Sequence, residues 1–268
     1  MKFIDKLRVK PGSKVDLGKF NPRYRGGVSR KDGEARLAEN RDALFDLQYK
    51  LYAESERALL IALQGIDASG KDGTIRHVMS CLNPQGCQVS SFKVPSDLEL
   101  AHDYLWRIHM AMPRRGNIGI FNRSHYEDVL IVRVRNLVPK AEWSKRYEQI
   151  NNFEKHLTEN GTRILKFFLY IDPDEQKSRF QSRIDRPHKN YKFSSADIKE
   201  RARWDDYIEA FEAAMEKCST DHAPWYIIPA NRKWFRNLAV SEIVRQTLEE
   251  MDPQVPPPRE DLAGLVIE

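Results

Sequence analysis

An α/β fold, three layers built around a parallel central sheet, is what this sequence predicts, and three observations predict it. Short apolar segments alternate along the chain with segments of helical periodicity. One of them, at 59–63, runs directly into a glycine-rich turn and then a helix, in the stretch RALLIALQGIDASGKDGT. A length of 268 residues with 41% hydrophobic content is enough to bury the core of one such domain plus an appendage.

Residues 1–30 read as irregular and basic, because Pro11, Pro22 and the Gly26–Gly27 pair interrupt any regular pattern. A helix is expected over about 33–56, where Leu37, Leu44, Leu47, Leu51 and Tyr52 recur at helical spacing. The strand at 59–63 and its turn lead into a second helix. Residues 87–94 read as a strand, and 97–112 as one helix with Ser96 as its cap and Pro113 as its stop. A short apolar strand at 117–121 precedes a long charged helix at 141–160, ended by Gly161, and the clearest buried strand, 163–171. A helix over 174–184 is interrupted by RPHKNYKFSS and resumes over 196–217 behind Ser194 or Ser195. The last strand is Trp225–Pro229 and the last helix Lys233–Met251. Pro253 and the three prolines at 256–258 mark a surface-hugging or mobile tail.

Composition narrows the function classes. No apolar run approaches membrane-spanning length, and the start, MKFIDKLRVKPGSKV, lacks the apolar core and cleavage site of a secretory signal. Cys81, Cys87 and Cys218 are odd in number and lack metal spacing, so reduced thiols in a cytoplasmic protein are expected. A formal net charge of +5 suits an anionic substrate without demanding nucleic acid.

Three constellations carry chemistry. In the first, Gly65, four residues, Gly70 and Lys71 have the spacing of a phosphate-binding loop, continued by Asp72, Gly73 and Thr74. Glycines let backbone N–H groups curl around phosphate oxygens, the next helix offers its positive end, and the lysine neutralises charge. Asp72 stands where such loops carry the Ser or Thr that binds Mg²⁺, and Asp67 is an unusual acid inside the loop. In the second, IGIFNRSHYEDVL, a short strand delivers Asn122, Arg123, His125, Glu127 and Asp128 at its carboxyl end, the edge where open α/β sheets bind ligands. Acids there can hold Mg²⁺ and Arg123 can clamp a phosphate; the same acids would equally complement a helix N-terminus. His125 is expected to be packed or hydrogen-bonded, since no second histidine pairs with it. Arg133 and Arg135 follow, as an extension of a basic wall or as structural residues. In the third, Arg179, Arg183 and Arg186 fall at i, i+4 and i+7, with Lys177, Lys189 and Lys192 nearby. Like charges so stacked repel unless an anion lies between them. The run is a solvated basic face or a lid over an anionic substrate.

GIDASGKDGT, FNRSHYEDVLIVRV and RPHKNYKFSSADIKERARWDDY, in that order, resemble the polyphosphate kinase 2 family over roughly 30–250. The Asp72 departure is that family's habit. The resemblance implies a three-layer P-loop kinase fold of the thymidylate-kinase-like kind, with a parallel central sheet and a helical lid. It also implies Mg²⁺-dependent transfer of phosphoryl groups between inorganic polyphosphate and nucleotides, with Mn²⁺ as a substitute metal. The Tyr126–Glu127–Asp128 sequence is similar to the third class, which phosphorylates both AMP to ADP and ADP to ATP. On this reading the chain divides into an N-terminal extension and helix (1–56), a phosphotransferase domain (57–252) with its lid at about 176–205, and a tail (253–268). Lys71 and the loop amides hold the reacting phosphates, and Asp67 and Asp128 hold the metal. Arg123 and Arg133 neutralise charge, while Asn122 and Glu127 serve the acceptor nucleotide. Arg179, Arg183, Arg186 and Lys189 line the polyphosphate path. Expected partners are polyphosphate, AMP, ADP, ATP and other nucleotides, and a second copy of the chain in a homo-oligomer, with no nucleic acid and no membrane. Two competitors remain at this stage: a nucleoside monophosphate kinase using ATP as donor, and a basic nucleic-acid-binding P-loop protein.

Overall fold

The structure is a computed structural model, and it describes residues 3–262 and 267. There are five strands, all but the edge strand β2 formed by apolar runs: β1 (Ala58–Gln64), β2 (Cys87–Ser91), β3 (Ile118–Asn122), β4 (Thr162–Tyr170) and β5 (Trp225–Pro229). They make one sheet in the order β2-β3-β1-β4-β5 with every pairing parallel. β1 lies at the centre and is buried along its whole length, which is why ALLIALQ shows no polar alternation. The chain lays β2 and β3 on one side of β1, then β4 and β5 on the other. Connections therefore diverge beside β1, and the crevice at the carboxyl ends of the strands opens there.

Eleven helical segments lie in the described part of the chain. They are α1 (Arg30–Glu54), α2 (Lys71–Val78), α3 (Asp97–Leu100), α4 (Trp106–Met110), α5 (Ile131–Val134), α6 (Lys140–Trp143), α7 (Arg146–Glu159), α8 (Pro173–Ile184), α9 (Ser195–Arg201), α10 (Trp204–Cys218) and α11 (Lys233–Met251), besides short 3₁₀ turns. Strand side chains alternate between two cores. Leu59, Ile61 and Leu63 pack with Leu44 and Leu51 of α1, Val78 of α2 and Leu238 and Ile243 of α11. Leu60 and Ala62 face the other way, toward Ile108 of α4 and Leu157 of α7, while Phe168 of β4 meets Phe211 and Met215 of α10. Three layers result, as the alternating pattern predicts.

Several expected elements differ. The helix expected over 97–112 is two short ones, α3 and α4. Between them Asp103 Oδ1 accepts a hydrogen bond from Leu105 N at 2.9 Å, a local bond that competes with the helical ladder. The helix expected over 141–160 is α6 and α7, separated by a turn in which Lys145 N bonds Glu142 O at 3.1 Å. The one expected over 196–217 breaks into α9 and α10 at Arg203, whose guanidinium donates to Val134 O at 2.7 Å. Residues 1–30, expected to be irregular, also guard an edge: Val9 N donates to Trp225 O at 2.9 Å and Ile227 N to Leu7 O at 2.8 Å, closing the open side of β5. Residues 252–258 have no regular structure, and 263–266 and 268 of the expected tail lie outside the described residues. No helix among the described residues is long and apolar enough to cross a membrane, and Cys81, Cys87 and Cys218 are all free thiols.

Candidate active site

β1 ends at Gln64 and the chain turns through Gly65–Gly70 into α2. Two glycines are dictated by space. A Cβ at Gly65 would stand 2.6 Å from Ser69 Oγ and 2.9 Å from the carbonyl oxygen of Leu169. Gly70, at φ +108°, would place one 1.9 Å from an arginine nitrogen of α11, Arg236 Nη1. Lys71 folds back over the loop, and its Nζ donates to Gly65 O at 2.6 Å. Only 8% of it is exposed. Burial, then the nearby Arg123, pushes its pKa down to about 8 against the pull of Asp67, Glu127 and Asp72. A phosphate in the loop would offer the lysine an anionic partner in place of the carbonyl and raise its pKa again. Thr74 is buried, with Oγ1 donating to Gly70 O at 3.2 Å. Asp72 accepts from Asn122 Nδ2 at 2.9 Å and pairs with Lys192 Nζ at 3.2 Å, so the residue in the usual hydroxyl position joins the end of β3 to the lid.

At the end of β3, Arg123 takes a left-handed backbone (φ 65°) and anchors its amide to Leu63 O at 3.0 Å. Its guanidinium donates to Asp67 Oδ1 at 2.6 Å and to Glu127 Oε2 at 3.1 Å. Burial would lower its pKa, but Glu127 and Asp67 hold it above the ordinary arginine value. Asp67, Lys71, Asn122 and Arg123 all line one cleft of about 960 Å³. Asp128 and Arg133 are not among its lining residues. Asp128 accepts from Arg146 Nη1 at 2.7 Å, and burial pushes its carboxyl up to about 6 against Arg146 and Arg107. Arg133 pairs with Glu209 and lies over the Trp143 ring, 5.1 Å from its centroid.

Beneath this motif lies a buried polar cluster that sequence reading missed. Lys166 Nζ of β4 donates to Glu154 Oε2 at 2.5 Å, to Tyr126 OH at 2.8 Å and to Cys218 O at 2.6 Å. Glu154 Oε1 also meets His125 Nε2 and Tyr126 OH, each at 3.0 Å. His125, Tyr126, Glu154 and Lys166 are all fully buried. His125 is thus held in a hydrogen-bond network and not placed as a metal ligand. The signal was available in one form: Lys166 interrupts RILKFFLY, an otherwise apolar strand, and a buried lysine needs an anion.

On the lid side, Asp172 caps α8 by accepting from Glu175 N at 2.7 Å, with Pro173 at the first position. The arginine stack expected there is largely neutralised within the protein. Arg179 pairs with Glu175 at 2.7 Å and braces the phosphate loop from behind, donating to the carbonyls of Ala68 at 2.9 Å and Ser69 at 2.7 Å. Arg183 pairs with Asp197 at 3.1 Å. Arg186 and Lys189 line the cleft with no ion-pair partner among the described residues. Cations far outnumber carboxylates around the cleft, and two of them, Lys233 and Arg236 on α11, were not singled out from sequence.

Among the described residues no three His, Cys, Asp or Glu side chains cluster closely enough to hold a metal by themselves. Mg²⁺ ordinarily takes one or two carboxylates together with substrate phosphates, and Asp67 suits that mode. One of its oxygens is bonded to Arg123, and the other has no donor among the described residues.

Comparison with known proteins points in one direction. The profile described as Polyphosphate kinase 2 (PPK2) matches residues 27–256. The AMP/ADP-polyphosphate phosphotransferase of Meiothermus ruber is 50% identical over 269 aligned positions, covering 99% of this chain and 100% of that protein. The ADP-polyphosphate phosphotransferase of Rhodopseudomonas palustris is 48% identical, covering 93% of this chain and 91% of its own. The crystal structure of polyphosphate kinase 2 from Arthrobacter aurescens TC1 superposes with a TM-score of 0.93 at 43% identity, covering 97% of this chain and 93% of that one.

Proposed function

This chain belongs to the polyphosphate kinase 2 family, and from that premise we propose that it phosphorylates both AMP and ADP from inorganic polyphosphate, with Mg²⁺ held at Asp67. It is a polyphosphate–nucleotide phosphotransferase. Acceptance of both AMP and ADP draws support from the Meiothermus relative's name and from the Tyr126–Glu127–Asp128 sequence. The observation that carries the reading is the cleft itself: Lys71 and Arg123 both line a cavity whose other charged residues are mostly cationic, as suits a repeating polyanion without bases.

Phosphoryl transfer is mainly positioning and charge neutralisation. Lys71 and the amides of Gly65–Gly70 would grip the donor phosphates, and Arg123 would neutralise charge on the group in transit. The attacking oxygen of AMP or ADP is already ionised near neutral pH, so no strong general base is needed. Asp67 would orient that oxygen, and Glu127, tied to Arg123, would help set which nucleotide is accepted. A divalent cation bound at Asp67 would supply Lewis-acid stabilisation of charge on the phosphate oxygens. Asp128 is paired with Arg146 and Arg133 with Glu209, and neither lines the cleft, so this reading rests the metal and charge roles on Asp67, Lys71 and Arg123.

The test is a time course of nucleotide products from AMP and from ADP with polyphosphate and Mg²⁺, no ATP being added. ADP followed by ATP from AMP is the expected result. Product formation only when ATP is supplied as donor would replace this reading with an ATP-dependent nucleoside monophosphate kinase.

A further inference from the structure

The end of β3 turns sharply to bring Arg123 and Glu127 together, with little support of its own. Arg123 has a left-handed backbone, at φ 65°, which a side chain disfavours. After Ser124 the chain makes a single short 3₁₀ turn, His125–Asp128, and the bond geometry of such turns is poor. Three consecutive side chains here, Ser124, His125 and Tyr126, are fully buried, and each is held from beneath. Ser124 Oγ accepts from Gln64 Nε2 at 3.0 Å and from Tyr126 N at 3.3 Å. Burial would raise the Glu154 carboxyl, but Lys166 and His125 hold it below its ordinary value, so it only accepts. His125 Nε2 and Tyr126 OH therefore both donate to one of its oxygens, Oε1, at 3.0 Å each.

Lys166 completes the clamp. Each of its three N–H groups has an acceptor: Glu154 Oε2 at 2.5 Å, Tyr126 OH at 2.8 Å and the carbonyl of Cys218, at the end of α10, at 2.6 Å. Burial, then Glu154, keeps the Tyr126 phenol well above its ordinary pKa, so it donates to Glu154 while accepting from Lys166. A fully buried ion pair gives little net stability over apolar side chains of the same volume, because desolvation offsets the attraction. Direction is what apolar packing would not supply. The next residue along, Glu127, accepts from Arg123 at 3.1 Å, and Arg123 reaches Asp67 at 2.6 Å.

We infer that Glu154 and Lys166 are positioning residues for phosphoryl transfer, acting through His125 and Tyr126 to set where Glu127 and Arg123 stand against the acceptor nucleotide. This rests on the acceptor roles proposed above and deepens them. The side chains that meet the acceptor are aimed by a charged pair that does not line the cleft.

Tyr126→Phe removes one oxygen from the clamp and keeps the ring, while the double variant Glu154→Gln, Lys166→Met removes both charges. Leu248→Ala, in the core on the opposite face of the sheet, is a destabilised control. Rates would be measured against ADP at saturating polyphosphate and against polyphosphate at saturating ADP, at a temperature where circular dichroism shows each protein folded. Tyr126→Phe should lower kcat/KM for ADP by about tenfold, and the double variant by on the order of 10²-fold, as misplaced reacting groups do. The polyphosphate KM should hold in both. Leu248→Ala should lower the melting temperature and leave both constants in place. The loss should also depend on Glu127: in a Glu127→Ala background, Tyr126→Phe should cost much less, since a group it aims is gone.

An equal fold-loss in both backgrounds overturns the inference. So does a polyphosphate KM that rises together with the loss on ADP, as a general loosening of the site would give. Should the double variant fail to fold, Tyr126→Phe carries the test with the same outcomes. A working enzyme whose Tyr126→Phe variant has unchanged constants overturns this inference alone. An unaltered enzyme that makes no ATP from ADP and polyphosphate overturns the underlying reading and the inference with it.

Discussion

Arg123 donates to Asp67 at 2.6 Å, fastening the end of β3 to the loop that follows β1. The same guanidinium holds Glu127 at 3.1 Å, so the acceptor and phosphate sides proposed above would share one cation. Asp67→Asn keeps the shape but removes a hard anionic ligand. It should slow turnover on the order of 10²-fold and raise the Mg²⁺ needed for half-maximal rate. An unchanged Mg²⁺ titration in folded Asp67→Asn would show that this carboxylate only orients Arg123.

Asp128 gives the contrasting case. It is 9% exposed and pairs with Arg146, which also holds Glu142 at 2.8 Å, so Asp128→Asn removes one of two carboxylates from a buried guanidinium. Stability should drop by about 1–2 kcal/mol, measured by urea unfolding, with a smaller shift in the Mg²⁺ titration than Asp67→Asn gives. A larger metal shift in Asp128→Asn than in Asp67→Asn would reverse these assignments.

Lys71 should be the most costly single loss. Lys71→Ala removes charge at the reacting centre and should reduce the rate by on the order of 10²–10³ while the protein stays folded. The depressed pKa of about 8 also sets a pH dependence. The protonated lysine grips phosphate, so kcat/KM for polyphosphate should fall as pH rises through about 8. Bound phosphate raises the lysine's pKa, so kcat should hold to higher pH than kcat/KM. A flat kcat/KM profile from pH 7 to 9.5, roughly one unit or more either side of that value, would remove Lys71 from donor binding.

The Glu154–Lys166 pair is fully buried and made at 2.5 Å. Removing one partner strands the other charge, so Lys166→Met and Glu154→Gln should each cost about 3–5 kcal/mol in unfolding free energy. Replacing both together should cost less than the sum of the two. Additive losses would mean that the two side chains act independently.

What was legible in the sequence follows from which forces are local. Runs of apolar residues announced β1, β3, β4 and β5 to within a few residues, because a strand buried on both faces leaves no room for polar alternation, whereas β2 (CQVSS) is a partly exposed edge strand. Trp225–Pro229 and Lys233–Met251 end where the sequence places them. The phosphate loop was legible because Gly65 packs against the Leu169 carbonyl and Gly70 takes a φ of +108°, both of which favour glycine. Helix breaks at Asp103 and Arg203 were not, since each depends on a bond that periodicity does not register, one of them to a carbonyl far away in sequence. Arg236 was illegible for the same reason. On a helical wheel it is one more charged residue, and only the approach of α11 to Gly70 gives it meaning. The i, i+4, i+7 arginine spacing suggested three equivalent cations on one helix, but α8 ends at Ile184, before Arg186, and Glu175 and Asp197 pair with the other two.

That inequality makes the lid testable residue by residue. Arg179 is fixed to the carbonyls of Ala68 and Ser69, so Arg179→Ala should loosen the phosphate loop, lowering kcat and thermal stability together. Arg186 and Lys189 line the cleft without ion pairs among the described residues, and contacts they make with a polyanion would be exposed to salt. The double variant Arg186→Ala, Lys189→Ala should therefore raise the polyphosphate KM while kcat and melting temperature hold. Each contact contributes about 1 kcal/mol at most, so the combined change is roughly tenfold to thirtyfold at low salt. The loss should shrink as ionic strength rises, because salt screens in the unaltered enzyme what the variant lacks. If the double variant matches the unaltered enzyme at every salt concentration while Arg179→Ala alone raises the polyphosphate KM, then the donor runs along the loop side of α8 and not past its outer turn.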